Sequence, residues 1–442
     1  MAESTIAAIS TALGEGGIAI IRVSGPRAVE ISTKILTRKN FEVHGKLYLT
    51  SLIDDKKNIL DKVLAVHFKK PHSYTGEDIV EIHTHGGIFI ARLCLELLLK
   101  NGAEPAQPGE FTRRAFINGR IDLSQAEGVL GIIKAQSIEA LKASARTLEG
   151  GLSKLIHEVH EKILNIQANI EINLDFPEGE IFDENFKLVD EISLAIKELE
   201  KILSLCEAGM IFNNGIKITI AGRPNVGKSS LLNALLGRER AIVTEIPGTT
   251  RDIITETILI NSLPVIFSDT AGIRDTEDII EAEGVKLAMK AANESDLCLF
   301  VVDGSEKISD AEINFINSLD DKAITVINKS DITPTSYEWR KGLRVSAKNK
   351  TGIEELKQAI YDKAIKAPAT GSELNASAAQ LKDIRESLNA MSEACELANK
   401  NFEPDVIAGL LNDARINLMR VLGIEAGDEL INRMFERFCV GK

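Results

Sequence analysis

The spacing of apolar residues changes twice along this chain, and each change predicts a different kind of structure. Short alternating runs separated by turn residues occupy residues 1 to about 118. They predict a helix at Ile88–Leu99 and strands at Gly17–Val23, Val63–Phe68 and Ile79–His85. Apolar residues then recur at helical spacing, which predicts helices at about 124–135, 137–149, 152–174 and 184–208 and, much later, near 372–400, 404–421 and 426–438. Between these two helical stretches, β-branched runs predict buried strands near Ile216–Ile220, Pro264–Phe267, Leu297–Val302, Ala323–Ile327 and Leu343–Val345.

This arrangement predicts a multidomain protein of mixed α/β and α type. The length of 442 residues is compatible with three domains at about 150 residues each. Helices on both sides of one α/β unit favour a single discontinuous helical domain that receives the unit as an insertion, although two separate bundles would produce the same pattern. We expect an α+β domain at 1–118, a helical domain at 119–212 and 371–442, and the inserted domain at 213–370. Turn-forming residues at Gly209 and Asn213–Gly215, and again at 366–371, predict the linkers.

Three local features of the first half lead to narrower expectations. Ser124, followed three residues later by Glu127, predicts a capping box at the start of a helix. The segment Phe111–Arg114 is either a solvated basic turn or an anion contact, and the sequence leaves both open. His83 and His85 share one face of a strand, but no third ligand follows at a recognisable spacing, so a structural role is favoured over a metal site.

Composition excludes several classes of protein. Apolar residues make up 44% and charged residues 26%, which is ordinary for a globular chain, and the net charge of −13 argues against coating nucleic acid by bulk electrostatics. The N-terminus lacks a basic region before an apolar core, and no run approaches the ~20 apolar residues of a membrane span. We expect no membrane association and a cytoplasmic location. Five scattered cysteines suggest neither a disulfide framework nor a zinc site.

The segment Ile216–Ser230 carries the chemistry around which the chain is organised. A strand breaks at Gly222 into a loop of the form G-x-x-x-x-G-K-S, and a helix follows. Successive backbone N–H groups and a helix N-terminus bind phosphate, glycines allow close approach, and lysine contacts the outer phosphates. We expect Lys228 on the β- and γ-phosphates and the Ser229 hydroxyl on Mg²⁺. The loop residues assigned to the nucleotide are Asn225, Val226, Gly227, Lys228, Ser229 and Ser230.

Three further motifs follow at the ends of predicted strands. Asp269–Gly272 (Asp269, Thr270, Ala271, Gly272) is placed for a Mg²⁺-linked carboxylate and a backbone N–H near the γ-phosphate. The Asp331 carboxylate can accept hydrogen bonds from N1–H and N2–H₂ of guanine, which adenine does not offer, so GTP is favoured over ATP. A backbone N–H after the last strand could bind guanine O6. These last two motifs are Asn328, Lys329, Ser330 and Asp331, and Ser346, Ala347 and Lys348.

The segment between the phosphate loop and Asp269 must close over the nucleotide. A threonine there should bind Mg²⁺ when the γ-phosphate is present, and we assign Thr250 to this role. Ile273 occupies the place of the glutamine that orients water in small GTPases, so another group must hold the attacking water. Acidic candidates are Asp275, Glu277, Asp278, Glu281 and Glu283, and these patterns do not choose among them. The full segment assigned to the nucleotide is Thr244, Glu245, Ile246, Pro247, Gly248, Thr249 and Thr250.

The chain resembles the MnmE (TrmE) family of tRNA-modifying GTPases. The resemblance rests on the four GTPase motifs, Gly25 after Ile21–Ser24, Tyr74–Asp78, His85–Gly87, Pro108–Phe111 and the terminal Phe438–Lys442, where Val440 replaces the more usual isoleucine. It implies a K⁺-stimulated GTPase whose G domains meet during turnover, with K⁺ bound by Asn225 together with Thr244, Ile246 and Thr249. It also implies that Glu281 orients the attacking water.

The resemblance implies a second site in the N-terminal domain. This domain would dimerise constitutively and bind a tetrahydrofolate derivative, 5-formyl- or methylene-tetrahydrofolate, through Arg22, Glu81, Arg120 and Lys442. Arg120 stands where lysine is more usual in the family, and the change conserves charge but alters geometry. Cys439 is either a packing residue of the tail or a participant in the modification chemistry.

Three functional hypotheses follow. In the favoured one, the homodimer forms a heterotetramer with an FAD-containing MnmG (GidA)-like partner. Together they add an aminomethyl-type group, such as carboxymethylaminomethyl, to C5 of the wobble uridine (position 34) of certain tRNAs, with hydrolysis of GTP to GDP driving conformational change. A second hypothesis is a ribosome-assembly switch, although neither a GXXG loop nor a second G domain is found. A third is a folate enzyme that uses GTP only for control.

Overall fold

The computed structural model describes residues 4–175, 187–237, 256–267, 294–332, 342–365, 371–424 and 427–442. The chain divides into two compact units. Unit 1 comprises residues 1–126, 153–195 and 383–442, and unit 2 comprises 127–152 and 196–382. The mixed α/β and helical fold class is confirmed, whereas the three domain boundaries stay a prediction.

The N-terminal part of unit 1 is a six-stranded sheet with two helices packed on one face and a third, through Phe111, against Ile6 and Ala8 on the other. Its strands, in sheet order, are β3 (Leu47–Ile53), β4 (Ile59–Phe68), β5 (Ile79–Gly86), β2 (Gly16–Ser24), β1 (Ile6–Ile9) and β6 (Glu104–Pro105). All neighbours are antiparallel except β1 and β6. The helices of this part are α1 (Ala28–Lys34), α2 (Ile88–Lys100) and α3 (Glu110–Ile117).

Alternation along the strands separates a buried face from an open face. Ile21 and Val23 of β2 and Ile82 of β5 are buried in one core with residues of α1 and α2. The residues between them point the other way, where Ile18 is 61% and Leu49 71% exposed. The predicted strands and the helix at 88–99 are therefore confirmed, while β1, β3 and α1 were not predicted.

The structure decides two local questions in this region. Of the two alternatives for Phe111–Arg114, the solvated basic turn is wrong, because these residues form part of α3, with Phe111, Thr112 and Ala115 at helical spacing and fully buried. Arg114 instead contacts the carboxylates of Glu77 and Glu110. The predicted capping box was also misplaced. The first helix after α3, α4 (Leu123–Lys134), is capped by Asp122 and not by Ser124. Asp122 Oδ1 accepts from Gln125 N at 2.9 Å and Asp122 N donates to Gln125 Oε1 at 3.0 Å, so the capping box lies two residues earlier.

The predicted helices are confirmed with shifted ends. They are α4, α5 (Ile138–Leu148), α6 (Gly151–Asp175), α7 (Leu188–Asn214), α11 (Ala378–Asn399), α12 (Pro404–Val421) and α13 (Asp428–Phe435). Helix α7 includes Gly209 and Asn213, which were predicted to lie in a linker. The Asn213 side-chain nitrogen donates to Asn375 Oδ1 at 2.8 Å, a tertiary contact that a local turn pattern does not signal. No helix in these described ranges is both long and apolar enough to cross a bilayer.

Unit 2 contains a second six-stranded sheet with the order β12-β11-β10-β7-β9-β8. All pairs are parallel except β8 and β9. The strands are β7 (Ile216–Ala221), β8 (Glu256–Ile260), β9 (Leu263–Phe267), β10 (Leu297–Asp303), β11 (Ala323–Asn328) and β12 (Leu343–Arg344), and the described helices are α8 (Lys228–Leu236), α9 (Asp310–Ser318) and α10 (Ile353–Ala364). Strand β7 is central. Strands β8 and β9 lie on one side of it and β10, β11 and β12 on the other, and this change of direction creates a crevice at the carboxyl ends of the parallel strands.

Candidate functional site

The loop after β7 has the backbone geometry that phosphate binding requires. Gly222 has φ +144° and Gly227 has φ +96°. A Cβ atom on Gly222 would lie 2.2 Å from the Val301 carbonyl oxygen, and one on Gly227 would lie 2.3 Å from Asn328 Nδ2. Both positions therefore need glycine for space as well as for conformation. Asn225 adopts the left-handed region with φ +62°, and α8 begins directly after the loop at Lys228.

Lys228 lies folded over this loop. Its Nζ donates hydrogen bonds to the carbonyl oxygens of Gly222 at 2.8 Å and Arg223 at 2.6 Å. Burial lowers the pKa of the ammonium group below its usual value. The two hydrogen bonds hold the Lys228 side chain against the loop whose backbone N–H groups would surround a phosphate.

Asn328 ties the phosphate loop to the loop after β12. This side chain is 2% exposed. Its Nδ2 donates to the Val226 carbonyl at 2.9 Å, and its Oδ1 accepts from Ala347 N at 3.1 Å. The sequence placed Asn328 among the nucleotide ligands, and its two hydrogen bonds within the protein show how it connects three segments of the site.

The segment predicted to bind guanine forms one hydrogen-bonded cluster. Asp331 Oδ1 accepts from Ser346 Oγ at 2.6 Å, and this bond holds the pKa of the carboxyl below its usual value. Ser330 N donates to the Val345 carbonyl at 3.1 Å. Lys329 forms an ion pair with Asp303 at the end of β10. The cluster leaves Asp331 exposed, so a carboxylate edge is available to a base.

The structure brings together the predicted residues of the phosphate loop, the segment after β11 and the segment after β12. Residues 244–250, 269–272 and 281 lie outside the described residues. Sequence patterns missed the ion pair between Arg223 in the loop and Glu312 at the start of α9, with a distance of 2.9 Å between Nη2 and Oε2. The Ser309–Glu312 capping box could have signalled the helix, but no local pattern signals its pairing with Arg223.

A second polar cluster lies on the open face of the N-terminal sheet. Arg22 of β2 and Glu81 of β5 are paired in register, and their side chains form a salt bridge with 2.8 Å between Nη2 and Oε1. The Arg22 guanidinium lies 5.6 Å from the Tyr74 ring centroid and 5.5 Å from that of Phe111. Burial raises the pKa of Glu81, but hydrogen bonding from His83 and the charge of Arg22 outweigh it, so the pKa lies below its usual value.

The C-terminal tail lies against helix α3 near this cluster. Pro108 pairs with Val440 as an isolated bridge, Gly109 N donates to the Cys439 carbonyl at 3.3 Å, and Phe111 N donates to the Lys442 backbone oxygen at 3.2 Å. Gly441 has φ +95°, and a Cβ there would lie 2.4 Å from the Ile9 carbonyl oxygen. The tail is therefore fitted between β1 and α3, and Cys439 remains exposed.

Two further residues that the sequence analysis named, Arg120 and His85, also lie in the N-terminal domain. Arg120 follows α3 and is exposed. Its aliphatic stem lies against Gly76, whose added Cβ would be 3.3 Å from Arg120 Cγ. His85 Nδ1 pairs with Asp61 Oδ1 at 2.6 Å. In the described part of the chain, no group of three or more histidine, cysteine, aspartate or glutamate side chains is arranged to hold a metal ion.

Two family models match this chain. Residues 5–120 match "GTP-binding protein TrmE N-terminus" and residues 123–439 match "MnmE helical domain". The tRNA modification GTPase MnmE of Carboxydothermus hydrogenoformans is 43% identical over all of both chains. The protein of the same name from Pseudothermotoga lettingae is 39% identical over 99% of each. The chain belongs to the MnmE family.

Similarity to solved structures adds little to this MnmE assignment. The G domain of the Thermotoga maritima FeoB iron transporter matches 34% of this chain and 98% of its own length, at 25% identity and a TM-score of 0.26. A TM-score this low is too weak to support a functional argument. The sequence expectation of an MnmE-type protein is confirmed by the full-length relatives and by both family models.

Proposed function

We propose that this MnmE-family chain is a GTP hydrolase that modifies the wobble uridine of certain tRNAs in the cytoplasm. With a flavin-dependent, MnmG-like partner it would add an aminomethyl-type group, such as carboxymethylaminomethyl, to C5. The observation that carries the proposal is a phosphate loop joined through Asn328 to the segment after β12, which in turn hydrogen-bonds Asp331, within a chain that matches tRNA modification GTPases over its full length.

The geometry of unit 2 supports the role of each described group in GTP binding. Lys228 already lies against the loop, so its Nζ needs only to exchange two carbonyl partners for phosphate oxygens. Asp331, oriented by Ser346, would accept the two guanine N–H groups. Ala347 N already bonds Asn328, which leaves the neighbouring backbone N–H of Lys348 as the candidate donor to guanine O6.

Mg²⁺ and K⁺ would complete the phosphate site. The chain offers hard oxygen ligands suited to both ions: the Ser229 hydroxyl at the first turn of α8 and the Asn225 amide at a left-handed turn of the loop. When bound, the cations neutralise charge that develops between the phosphates. Thr250 would join Ser229, and Thr244, Ile246 and Thr249 would join Asn225. Glu281 would orient the attacking water.

The open face of the N-terminal sheet fits a folate. Glu81 keeps its negative charge and can accept the N–H donors of a pterin, and Arg22 stands over two aromatic rings that could extend a stack. Arg120 and Lys442 would add positive charge for the carboxylates of a tetrahydrofolate derivative that delivers the carbon. Cys439 could take part in the same chemistry.

The same face supports the proposed homodimer. Exposed apolar side chains lie on its strands, with Ile18 61%, Leu49 71% and Leu64 37% exposed. Exposed apolar side chains on a sheet face are typical of an interface with a second copy or a partner. Two such copies and two MnmG-like proteins, which carry FAD, would form the heterotetramer.

One experiment tests the proposed tRNA modification directly. We expect tRNA from cells that lack this gene to lose the C5-modified wobble uridine, measured by nucleoside mass spectrometry, and expression of the full chain to restore it. Expression of Lys228→Ala should not restore it, because phosphate binding is lost. Retention of the modified nucleoside in the deletion strain would exclude the proposal.

The proposed chemistry of the nucleotide site is tested with purified protein. GTP turnover should be higher in K⁺ than in Na⁺ in the parent, and Asn225→Ala should remove the difference. Glu281→Ala should keep GDP affinity while hydrolysis falls. Equal rates in the two salts would exclude the cation role of Asn225, and near-normal turnover in the second variant would exclude Glu281 as the group that orients water.

A further inference from the structure

One arginine holds two carboxylates from separate segments of the N-terminal domain. Arg114 Nη1 lies 3.1 and 3.2 Å from the two carboxylate oxygens of Glu77, and its Nη2 donates to Glu110 Oε1 at 3.0 Å. Each of the three side chains is less than 20% exposed. The guanidinium also donates to the Ser4 carbonyl at 2.7 Å. We call Arg114, Glu77 and Glu110 the arginine clamp.

The two segments joined by this clamp carry the two aromatic rings beneath Arg22. Tyr74 lies three residues before Glu77, and Phe111 directly follows Glu110. Tyr74 OH also hydrogen-bonds Thr112 Oγ1 at 2.9 Å. The position of the loop 73–77 relative to α3 therefore determines how far apart the two rings beside Arg22 stand.

The clamp also fixes the helix end that receives the C-terminal tail. Gly109 and Phe111, on either side of Glu110, donate their backbone N–H groups to Cys439 and Lys442. Glu110 Oε2 accepts from Gln107 N at 2.8 Å, which holds the turn that leads into α3. Displacement of the first turn of α3 would therefore displace the tail.

We propose that Arg114 is a positioning residue for the tetrahydrofolate site of the N-terminal domain, and this proposal rests on the proposed function. Without the guanidinium, Glu77 and Glu110 would be two largely buried carboxylates of like charge that have lost the cation they share, which favours separation of the loop from α3. Arg114 thereby sets the two rings and the tail at once. It contacts neither Arg22 nor Glu81 in the described structure, so its action is through the segments that it joins.

The test compares tail order, tRNA modification and GTP turnover in the same full-length proteins. Arg114→Ala should reduce the hydrogen-exchange protection of the peptide 436–442 and lower wobble-uridine modification about tenfold, which corresponds to about 1.4 kcal/mol. GTP turnover should stay unchanged, because the nucleotide site lies in unit 2. Arg114→Lys keeps the charge but only part of the hydrogen bonding. Its tail protection and its modification activity should lie between those of the parent and those of Arg114→Ala.

Two further measurements keep the proposal falsifiable if Arg114→Ala does not fold. Glu110→Gln keeps the shape of the clamp and removes one charge, so it should reduce tail protection less than Glu77→Gln combined with Glu110→Gln. Arg113→Ala, one residue earlier on α3, is the matched control and should leave tail protection at the parent level.

The outcomes separate the two proposals. Loss of modification with unchanged tail protection in Arg114→Ala, or equal loss in Arg113→Ala, would overturn the positioning role. Loss of tail protection with normal modification would also overturn it, since the tail would then not serve the site. If the parent fails to modify tRNA while the clamp variants still release the tail, the proposed function fails and the structural role of the clamp stands.

Discussion

Replacement of Asn328 by alanine would test the connection between the phosphate loop and the guanine-binding cluster. The carboxamide makes two buried hydrogen bonds, to the Val226 carbonyl and from Ala347 N. Alanine leaves both backbone groups without these partners in an interior position where Asn328 is 2% exposed. Each unsatisfied group costs about 1–3 kcal/mol, so for the two groups we expect a total loss of about 2–6 kcal/mol.

Part of this free energy should appear in nucleotide binding, because the two loops must be held together to contact one ligand. A loss of about 1.4 kcal/mol in binding lowers affinity about tenfold. We therefore expect Asn328→Ala to weaken GDP binding by about tenfold or more, measured by titration with a fluorescent GDP analogue, and to lower the thermal unfolding midpoint.

Asn349→Ala provides the matched control for this variant. Asn349 is exposed and lies in the loop after Ala347, and its backbone N–H bond to Ser346 Oγ, at 3.1 Å, survives the substitution. It should bind GDP like the parent. Parent-like affinity in Asn328→Ala, or an equal loss in both variants, would refute the reasoning.

Three other predictions concern packing, charge and base selectivity. Gly131→Ala should lower the thermal midpoint, because the added Cβ would lie 2.3 Å from Ser144 Oγ. Gly409→Ala, whose Cβ would have nothing within 4 Å, should raise stability by up to ~1 kcal/mol. A higher midpoint for Gly131→Ala than for Gly409→Ala would contradict this prediction. The pKa of Glu81 in the folded protein lies below its usual value of 4.5. The parent should therefore be more stable than Glu81→Gln above pH 4.5, and this difference should vanish as the pH falls through the lowered pKa, so that the thermal midpoints of the two proteins converge. A difference in midpoint that grows in acid would contradict this prediction. Asp331→Asn should weaken GTP binding and favour xanthosine triphosphate, because the second carbonyl of xanthine can accept a hydrogen bond from the new amide. A competition titration between the two nucleotides measures this preference. An unchanged preference for GTP would count against the assigned base contact.

Local pattern determined much of unit 2 in advance. Buried strands, the loop that needs glycine at 222 and 227, and the helix that follows depend on residues close in sequence, so the spacing of apolar residues and glycines was sufficient to predict them. The same holds for the long helices, although capping by Asp122 in place of Ser124 shows that two plausible caps two residues apart cannot be separated by type alone.

The N-terminal site depended on the tertiary structure. Residues 108–111 and 439–442 are more than three hundred residues apart in the sequence and meet in the folded structure, and the family resemblance, not any local pattern, linked Lys442 to Arg22. The sequence left a solvated basic turn and an anion contact both open for Phe111–Arg114, and only the structure shows that Arg114 is the cation that two carboxylates share. The sequence alone determined the helices, the strands and the turns that need glycine, because these depend on residues that are close together in the chain. Which charges meet is decided by packing, since the partner of a buried ion pair is whichever segment the fold brings within hydrogen-bonding distance.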